Sequence, residues 1–487
     1  MEDRAGQIYA DLRSIIPASG NVISDEAGRR AYETDALSAY RNMPLAVVLP
    51  ETVEEVARVL QYCHENALHI VPRGAGTSLS GGALPVRDGI VLAMGKFNKI
   101  LEIDLDNRCM RVQPGVTNLA ISNAVADDGF YYAPDPSSQM ACSIGGNIAE
   151  NSGGVHCLKY GMTTNNILGV QIVTIDGEVI DIGGKWLDQP HYDLLGLMTG
   201  SEGLLGVITE VTVRLLRTPQ TARAMLLGFP SIADAGRTVA DIIAAGIIPA
   251  GLEMMDKPAV IAIEGFLHIG YPMDVEALLI AEVDGPIAEV DDLVMRMGEI
   301  ARSNNAMVEQ VSQSEEERLA FWAGRKAAFP ACAQLAPDYM VMDGTIPRNK
   351  LAHVLDEIVR LSQEADLAVV NVFHAGDGNL HPLIMFDADK PGEMEKAEKL
   401  GGDILTLCVA VGGVLTGEHG VGVEKRDLMG TMFTEIDLDT QQRVKCAFDP
   451  QGLLNPGKVF PVLHRCAELS KMHIHKGQMP FPDIPRF

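Results

Sequence analysis

Close-set cysteine pairs are missing from this sequence. Its eight cysteines, Cys63, Cys109, Cys142, Cys157, Cys332, Cys408, Cys446 and Cys466, are scattered without a C-x-x-C pair, which speaks against iron–sulfur clusters and zinc ribbons, both of which need neighbouring thiolates. Electrons handled by this chain must therefore leave through another molecule. Basic residues are scarce too: 39 Lys and Arg stand against 65 Asp and Glu, a formal charge of −26. Nucleic acid and bare anionic membrane both select clustered cations, so neither is an expected partner. No stretch approaches the roughly 20 uninterrupted apolar residues of a membrane helix. The start, MEDRAGQIYADL, has early acids and no apolar leader core. The expectation is a cytoplasmic protein with reduced thiols.

What is present is ample for folding. Hydrophobic residues make up 47% of 487, and single cores stop growing near roughly 250 to 300 residues, so two or three domains are expected. The stretch Val71 to Gly82, VPRGAGTSLSGG, follows an apolar strand and carries four glycines within nine residues. Without a Cβ in the way, successive N–H groups can converge on phosphate oxygens. Further glycine-rich segments follow: Pro134-Asp135-Pro136-Ser137-Ser138, Ser143-Ile144-Gly145-Gly146-Asn147, Asn151-Ser152-Gly153-Gly154, Gly200-Ser201-Glu202-Gly203 and Gly206-Val207-Ile208-Thr209. In this order they resemble the FAD-binding domain of the vanillyl-alcohol oxidase / p-cresol methylhydroxylase superfamily. The resemblance implies FAD contacts from Arg73, Gly74, Ala75, Gly76, Thr77, Ser78, Pro134, Asp135, Ser143, Gly145, Gly146, Asn147, Ser152, Gly153, Gly203 and Ile208. Some relatives bond a first-loop histidine covalently to the flavin. Thr77 stands in that region here, so a dissociable FAD is expected.

Strands and helices mix over residues 1–217 without a strict βαβ repeat, which argues for an α+β domain. A hairpin is predicted across Asp176-Gly177. From Thr218-Pro219 the order becomes β-α-β, β-α-β, predicting a ferredoxin-like sheet with helices on one face over 218–435, and a single helix over about 314–331. Residues 436–487 read as a returning segment. The tail after Cys466, with Pro480, Pro482 and Pro485, cannot extend a helix.

A second chemical site lies in AVVNVFHAGDGNLHPLIMF, Ala368 to Phe386. A two-residue turn at Asp377-Gly378 sets His374 directly opposite His381, and opposed residues share a face. Two imidazoles meeting at one point suit a divalent metal. Gly417-Glu418-His419-Gly420 offers the third ligand, Glu418, with His419 left unligated, provided the glycines let the chain twist.

HAGDGNLH followed by GEHGVG looks like the metal-containing branch of the FAD-linked oxidases, which includes D-lactate and D-2-hydroxyglutarate dehydrogenases and the flavin subunit of glycolate oxidase. FWAGRKAAFPA and DGTIP lean towards the last. Carried over, the resemblance makes His374, His381 and Glu418 the ligands of a divalent metal, zinc by expectation, His419 the catalytic base and Arg325 the holder of the substrate carboxylate. The segment ending Asn455-Pro456-Gly457-Lys458 resembles the family's return to the flavin, with Asn455 a flavin neighbour. Where hydroxyglutarate members bind a second carboxylate, this chain has Phe329, Val341 and Leu383, so a smaller, drier pocket is expected. The implied activity is oxidation of glycolate or D-lactate by a complex with iron–sulfur and homologous flavin-binding subunits, an external electron acceptor, and attachment to the inner face of the membrane through a partner. The alternatives are a stand-alone D-lactate or D-2-hydroxyglutarate dehydrogenase, and a catalytically silent flavin-binding subunit.

Overall fold

The computed structural model describes residues 2–186 and 192–461; Cys466 and the proline-bearing tail lie outside the described residues. Two main sheets build the first half, beside a short ladder of Phe130–Tyr131 with Leu216–Arg217. The runs Ala46–Val48, Ile90–Ala93 and Ile70–Arg73 pair in parallel in that order, with Val22–Ile23 antiparallel beyond Ala46–Val48. Their near-continuous apolar character is what parallel strands, covered on both faces, require. Ile70–Arg73 is the edge strand that delivers the glycine loop. The returning segment covers that edge: Ile70 N donates to Leu453 O at 2.9 Å and Asn455 N to Ile70 O at 2.8 Å. The second sheet is antiparallel, in the order Ile100–Asp104, Cys109–Val112, Val207–Arg214, Ile167–Val173, Val179–Gly183. The hairpin across Asp176-Gly177 forms, with Val173 facing Val179.

The third sheet carries the remaining chemistry. Its first four strands in space are Val308–Val311, Thr221–Phe229, Ala277–Gly285 and Gly251–Asp256, all antiparallel. In chain order that is fourth, first, third, second, the order of two interleaved βαβ units. Val369–His374 extends it beyond Gly251–Asp256 and pairs in turn with Pro382–Phe386.

The sheet is not open on one face as expected. Ile232–Ala244 and Ile287–Ser303 cover one side, while Lys257–Leu267 and the helices Glu315–Lys326 and Ala328–Cys332 cover the other. The reason lies in the strands: Ala277–Asp284 is buried at every position, so apolar side chains project from both faces. The predicted helix over 314–331 is broken at Ala327, where Pro330 has no N–H to continue the ladder.

Alternation then sorts polar from apolar. On one face Met255, Leu278, Ile280, Val370 and Val372 form core, and the period of two carries Glu253, Glu282, Asp284 and His374 onto the same face. That ionic margin meets the first half. His156 Nε2 lies 3.3 Å from Glu282, Tyr160 donates to Asp284 at 2.6 Å, and Lys159 pairs with Asp284.

Candidate functional site

Where the halves meet lies one cavity of about 490 Å³, within the usual range for ligand pockets. Its wall includes Arg73, Gly74, Ala75, Gly76, Thr77, Ser78, Ser143, Gly145, Gly146, Asn147, Ser152, Gly203 and Ile208 from the first half, and Arg325, His374, His381, Glu418 and His419 from the second. Gly76 has φ +74°, and a Cβ there would run into the Arg73 guanidinium. The guanidinium is in turn held by donating to Thr34 O at 2.7 Å. Asn147 Nδ2 and Glu150 Oε2 are buried without a hydrogen-bond partner among the described residues, so the wall offers a donor and a further polar group to a bound molecule. A flavin nucleotide fits this set.

Four expected cofactor contacts lie off the wall. Pro134 O accepts from Asn118 Nδ2 at 2.9 Å. Asp135 is engaged by His156, at 3.2 Å from its N–H and 2.7 Å from Nδ1, and so braces the junction of the halves. Gly153 makes room for Glu418 instead: a Cβ there would come within 2.5 Å of Glu418 Oε2. Asn455 Nδ2 donates to Gly82 O at 3.1 Å and Glu202 O at 2.6 Å, fastening the returning segment to the loop. Each of the four stands in a cofactor-like motif; in the fold Pro134, Asp135 and Asn455 take part in bracing hydrogen bonds and Gly153 gives clearance.

The histidine hairpin forms with a longer turn than expected. His374 is opposite Asn379, and Gly378 N closes residues 375–378 by donating to His374 O at 3.1 Å. His381 is therefore a diagonal neighbour two residues further on. A shift of two residues preserves the face, so the rings still meet edge-on with centroids 5.1 Å apart. Glu418 and His419 do not lie on a strand. The wholly buried Asp343 carboxylate accepts from the N–H groups of Gly417, Glu418 and His419 at 3.1, 3.2 and 2.9 Å, and from Thr416 Oγ at 2.6 Å. Lys425, also fully buried, balances its charge at 3.2 Å. Wrapping the chain round one carboxylate points consecutive side chains to the same place, helped by Gly420 at φ +81°.

His374, His381 and Glu418 each offer an atom within 4.8 Å of the others. Among the described residues neither ring nitrogen of His381 has a hydrogen-bond partner, and its Nε2 stands 3.3 Å from Glu418 Oε1 and 3.4 Å from Asp343 Oδ1. His374 Nδ1 is engaged by Glu253 at 2.6 Å, leaving Nε2 turned to Glu418 Oε1 at 3.3 Å. This set could hold a divalent cation. Asp343, His381 and His419 also converge, but the oxygens of Asp343 are already committed to backbone N–H groups and Lys425. Burial would raise the Glu418 carboxyl, yet His374, His381 and His419 together hold it down at about 2. Burial, with His381 and Lys425, pushes His419 down to about 4 against the pull of Asp343; its ring is neutral near pH 7. His419 stacks on His381, centroids 4.9 Å apart.

Arg325, on the last turn of Glu315–Lys326, donates through Nε to Glu253 Oε2 at 2.7 Å. Of the three apolar positions expected to shape the pocket, Phe329 lines the cavity. Val341 and Leu383 pair with each other in the core instead. Glu150, Glu202, Glu253 and Asp343 were not singled out from sequence. A lone acid inside an apolar run, as in Gly251-Leu252-Glu253-Met254, was the available signal, because an acid is buried only when partnered.

Residues 44–183 match the model for the FAD binding domain, and residues 218–459 that for FAD linked oxidases, C-terminal domain. The chain is 55% identical to glycolate oxidase subunit GlcD of Escherichia coli (strain K12), over 100% of this chain and 97% of that one. It is 32% identical to D-lactate dehydrogenase of Anaerostipes hadrus, over 87% and 91%. Among solved structures, p-cresol methylhydroxylase with substrate bound shares the fold at TM-score 0.80 and 16% identity, over 95% of this chain and 98% of that one. With a flavin-type cavity in place and relatives of this identity along its whole length, the chain belongs to the FAD-linked oxidases and is an FAD-dependent oxidoreductase.

Proposed function

We propose that the protein oxidises a small 2-hydroxy acid, glycolate or D-lactate, to the 2-oxo acid, as the flavin subunit of a glycolate oxidase. The observation that carries this reading is the single cavity shared by the glycine loop and the His374, His381, Glu418, His419 cluster. FAD, bound without a covalent link, supplies the two-electron acceptor, and a divalent cation, zinc by preference, held by His374, His381 and Glu418 supplies Lewis acidity. The chain's own residues do the rest. Arg325 grips the substrate carboxylate and fixes the orientation of C2. His419, neutral near pH 7, takes the hydroxyl proton at Nε2. Phe329 narrows the cavity so that a second carboxylate would lie unpaired, at a cost of several kcal/mol.

The test is anaerobic bleaching of the flavin by glycolate, D-lactate and D-2-hydroxyglutarate. The two small acids should reduce it with the higher kcat/KM; preference for hydroxyglutarate over both would overturn the substrate assignment. Chelation of the metal should abolish turnover and leave FAD bound, and full activity after metal removal would take the cation out of the reaction. D-lactate dehydrogenase acting alone is the second reading, favoured by the relative at 32% identity. Co-purification with a cysteine-rich iron–sulfur subunit separates the two, since this chain has no cysteine pair to pass electrons on. Such a complex would hold the protein at the inner face of the membrane through its partner; among the described residues no helix is long and apolar enough to cross one.

A further inference from the structure

We infer that Glu253 is a positioning residue whose one carboxylate sets both the His374 imidazole and the Arg325 guanidinium, so that cation binding and substrate-carboxylate binding share a single anchor. The inference rests on the proposed function. Glu253 lies in Gly251–Asp256, between Ala277–Gly285 and Val369–His374, with hydrogen-bonded ladders on both sides. In that register it is directly opposite His374, and its side chain is wholly buried. Oε1 lies 2.6 Å from His374 Nδ1, and Oε2 accepts from Arg325 Nε at 2.7 Å. Each oxygen serves one functional residue, and the two come from different elements, a strand and a helix end.

The chemistry of the two bonds gives the anchor its effect. A carboxylate can only accept, so His374 carries a hydrogen on Nδ1, and it is the Nε2 lone pair, on the side of Glu418 and His381, that a bound cation would take. Arg325, bonded through Nε, has no hydrogen bond from its terminal nitrogens to a described residue, and it lines the cavity. The fork is thereby held from behind and offered to an anion in front. Burying an acid on the face that carries Met255 and Ile280 is unfavourable unless it is partnered, so losing the acid disturbs both residues at once.

Glu253→Gln tests this, because an amide has one accepting and one donating end. Turned with its NH2 to His374, it forces the tautomer that puts hydrogen on Nε2. Turned the other way, it opposes the Arg325 Nε–H. On full-length, FAD-loaded protein, Zn²⁺ affinity is measured by competition with a chromophoric chelator. Affinity for oxalate, a two-carboxylate anion with no oxidisable hydrogen, is read from the flavin absorbance at saturating Zn²⁺. Thermal midpoint and FAD stoichiometry report folding. Glu253→Gln should weaken Zn²⁺ by about 10- to 100-fold and weaken oxalate as well, whereas Arg325→Lys should weaken oxalate alone. Folded Glu253→Gln with both affinities unchanged overturns the anchoring role. Should that variant not fold, Glu253→Asp decides: it keeps the charge but is a methylene too short to hold both partners, and wild-type binding of both ions by it is equally fatal. Wild-type protein that binds neither ion would sink the functional reading and the anchor together.

Discussion

At the Arg73–Ser78 end of the cavity the wall is loop backbone and hydroxyls, with one cation, Arg73, tied to Thr34 O. At the His374–His419 end it is ionisable side chains, most of them held by a buried acid from another element: His374 and Arg325 by Glu253, the Glu418–His419 loop by Asp343. The first region is shaped by where backbone can go, the second by which charges are matched. The two should therefore fail differently when altered. A change in the first region should act through added bulk and forced dihedrals and be graded. A change in the second leaves a charge or a proton acceptor without its counterpart and should be abrupt.

The sharpest test of that contrast is His419→Ala. It should lower turnover by about 10² to 10⁴-fold while FAD and metal content stay at wild-type levels. Near-normal rates would remove His419 as proton acceptor. Next is Asp343→Asn, which keeps the shape but takes from buried Lys425 its nearest carboxylate and loosens the loop. A loss of about 3 to 5 kcal/mol in unfolding free energy is expected, read by urea denaturation, and wild-type stability would show that the carboxylate is not what holds the loop. In the backbone-built region Gly76→Ala demands a left-handed alanine, unfavourable by roughly 1 to 2 kcal/mol. Its FAD dissociation constant should rise about tenfold with metal content unchanged; a loss of metal instead would blur the division between the regions.

The smallest effect concerns Glu424, whose oxygens have no hydrogen-bond partner among the described residues, with Lys425 Nζ 3.6 Å away. Burial pushes its carboxyl up to about 7 from the ordinary 4.5, against the pull of Lys425. Between those values the unfolded chain gives up a proton that the folded chain keeps, so this group's contribution to stability falls as pH rises from 4.5 to 7 and is level beyond. Glu424→Gln should flatten the thermal midpoint across that window and raise it by a few degrees at pH 8. An unchanged pH profile would mean that Glu424 is ionised in the fold.

Much of the site was legible because parity along a strand survives errors in register. The turn at Asp377-Gly378 was read as two residues and is four, yet His374 and His381 still share a face, since the slip moved the partner by two. Glycine positions were legible for a similar reason: the need for a missing Cβ belongs to the residue. Roles that depend on distant partners were not. Asp135 and Asn455 sit in cofactor-like motifs but bind His156 and the Gly82 and Glu202 carbonyls. Val341 and Leu383 face one another rather than the cavity. Nothing in the order of residues brings Glu253 to His374, 121 positions away.

The sequence by itself determined the local matters: where the Asp176-Gly177 hairpin turns, where glycine must stand, and that two histidines lie on one side of a hairpin. Each follows from φ, ψ and side-chain parity within a few residues. Only the tertiary structure decided that these pieces form one site. Glu202 accepting from Val421 and Gly422 at 2.7 Å each, and Asn455 reaching back to Gly82, close the two halves on each other across more than two hundred residues. Such buried polar pairs are favourable only when both members are desolvated together, a condition met in the assembled fold and in no segment of the chain alone.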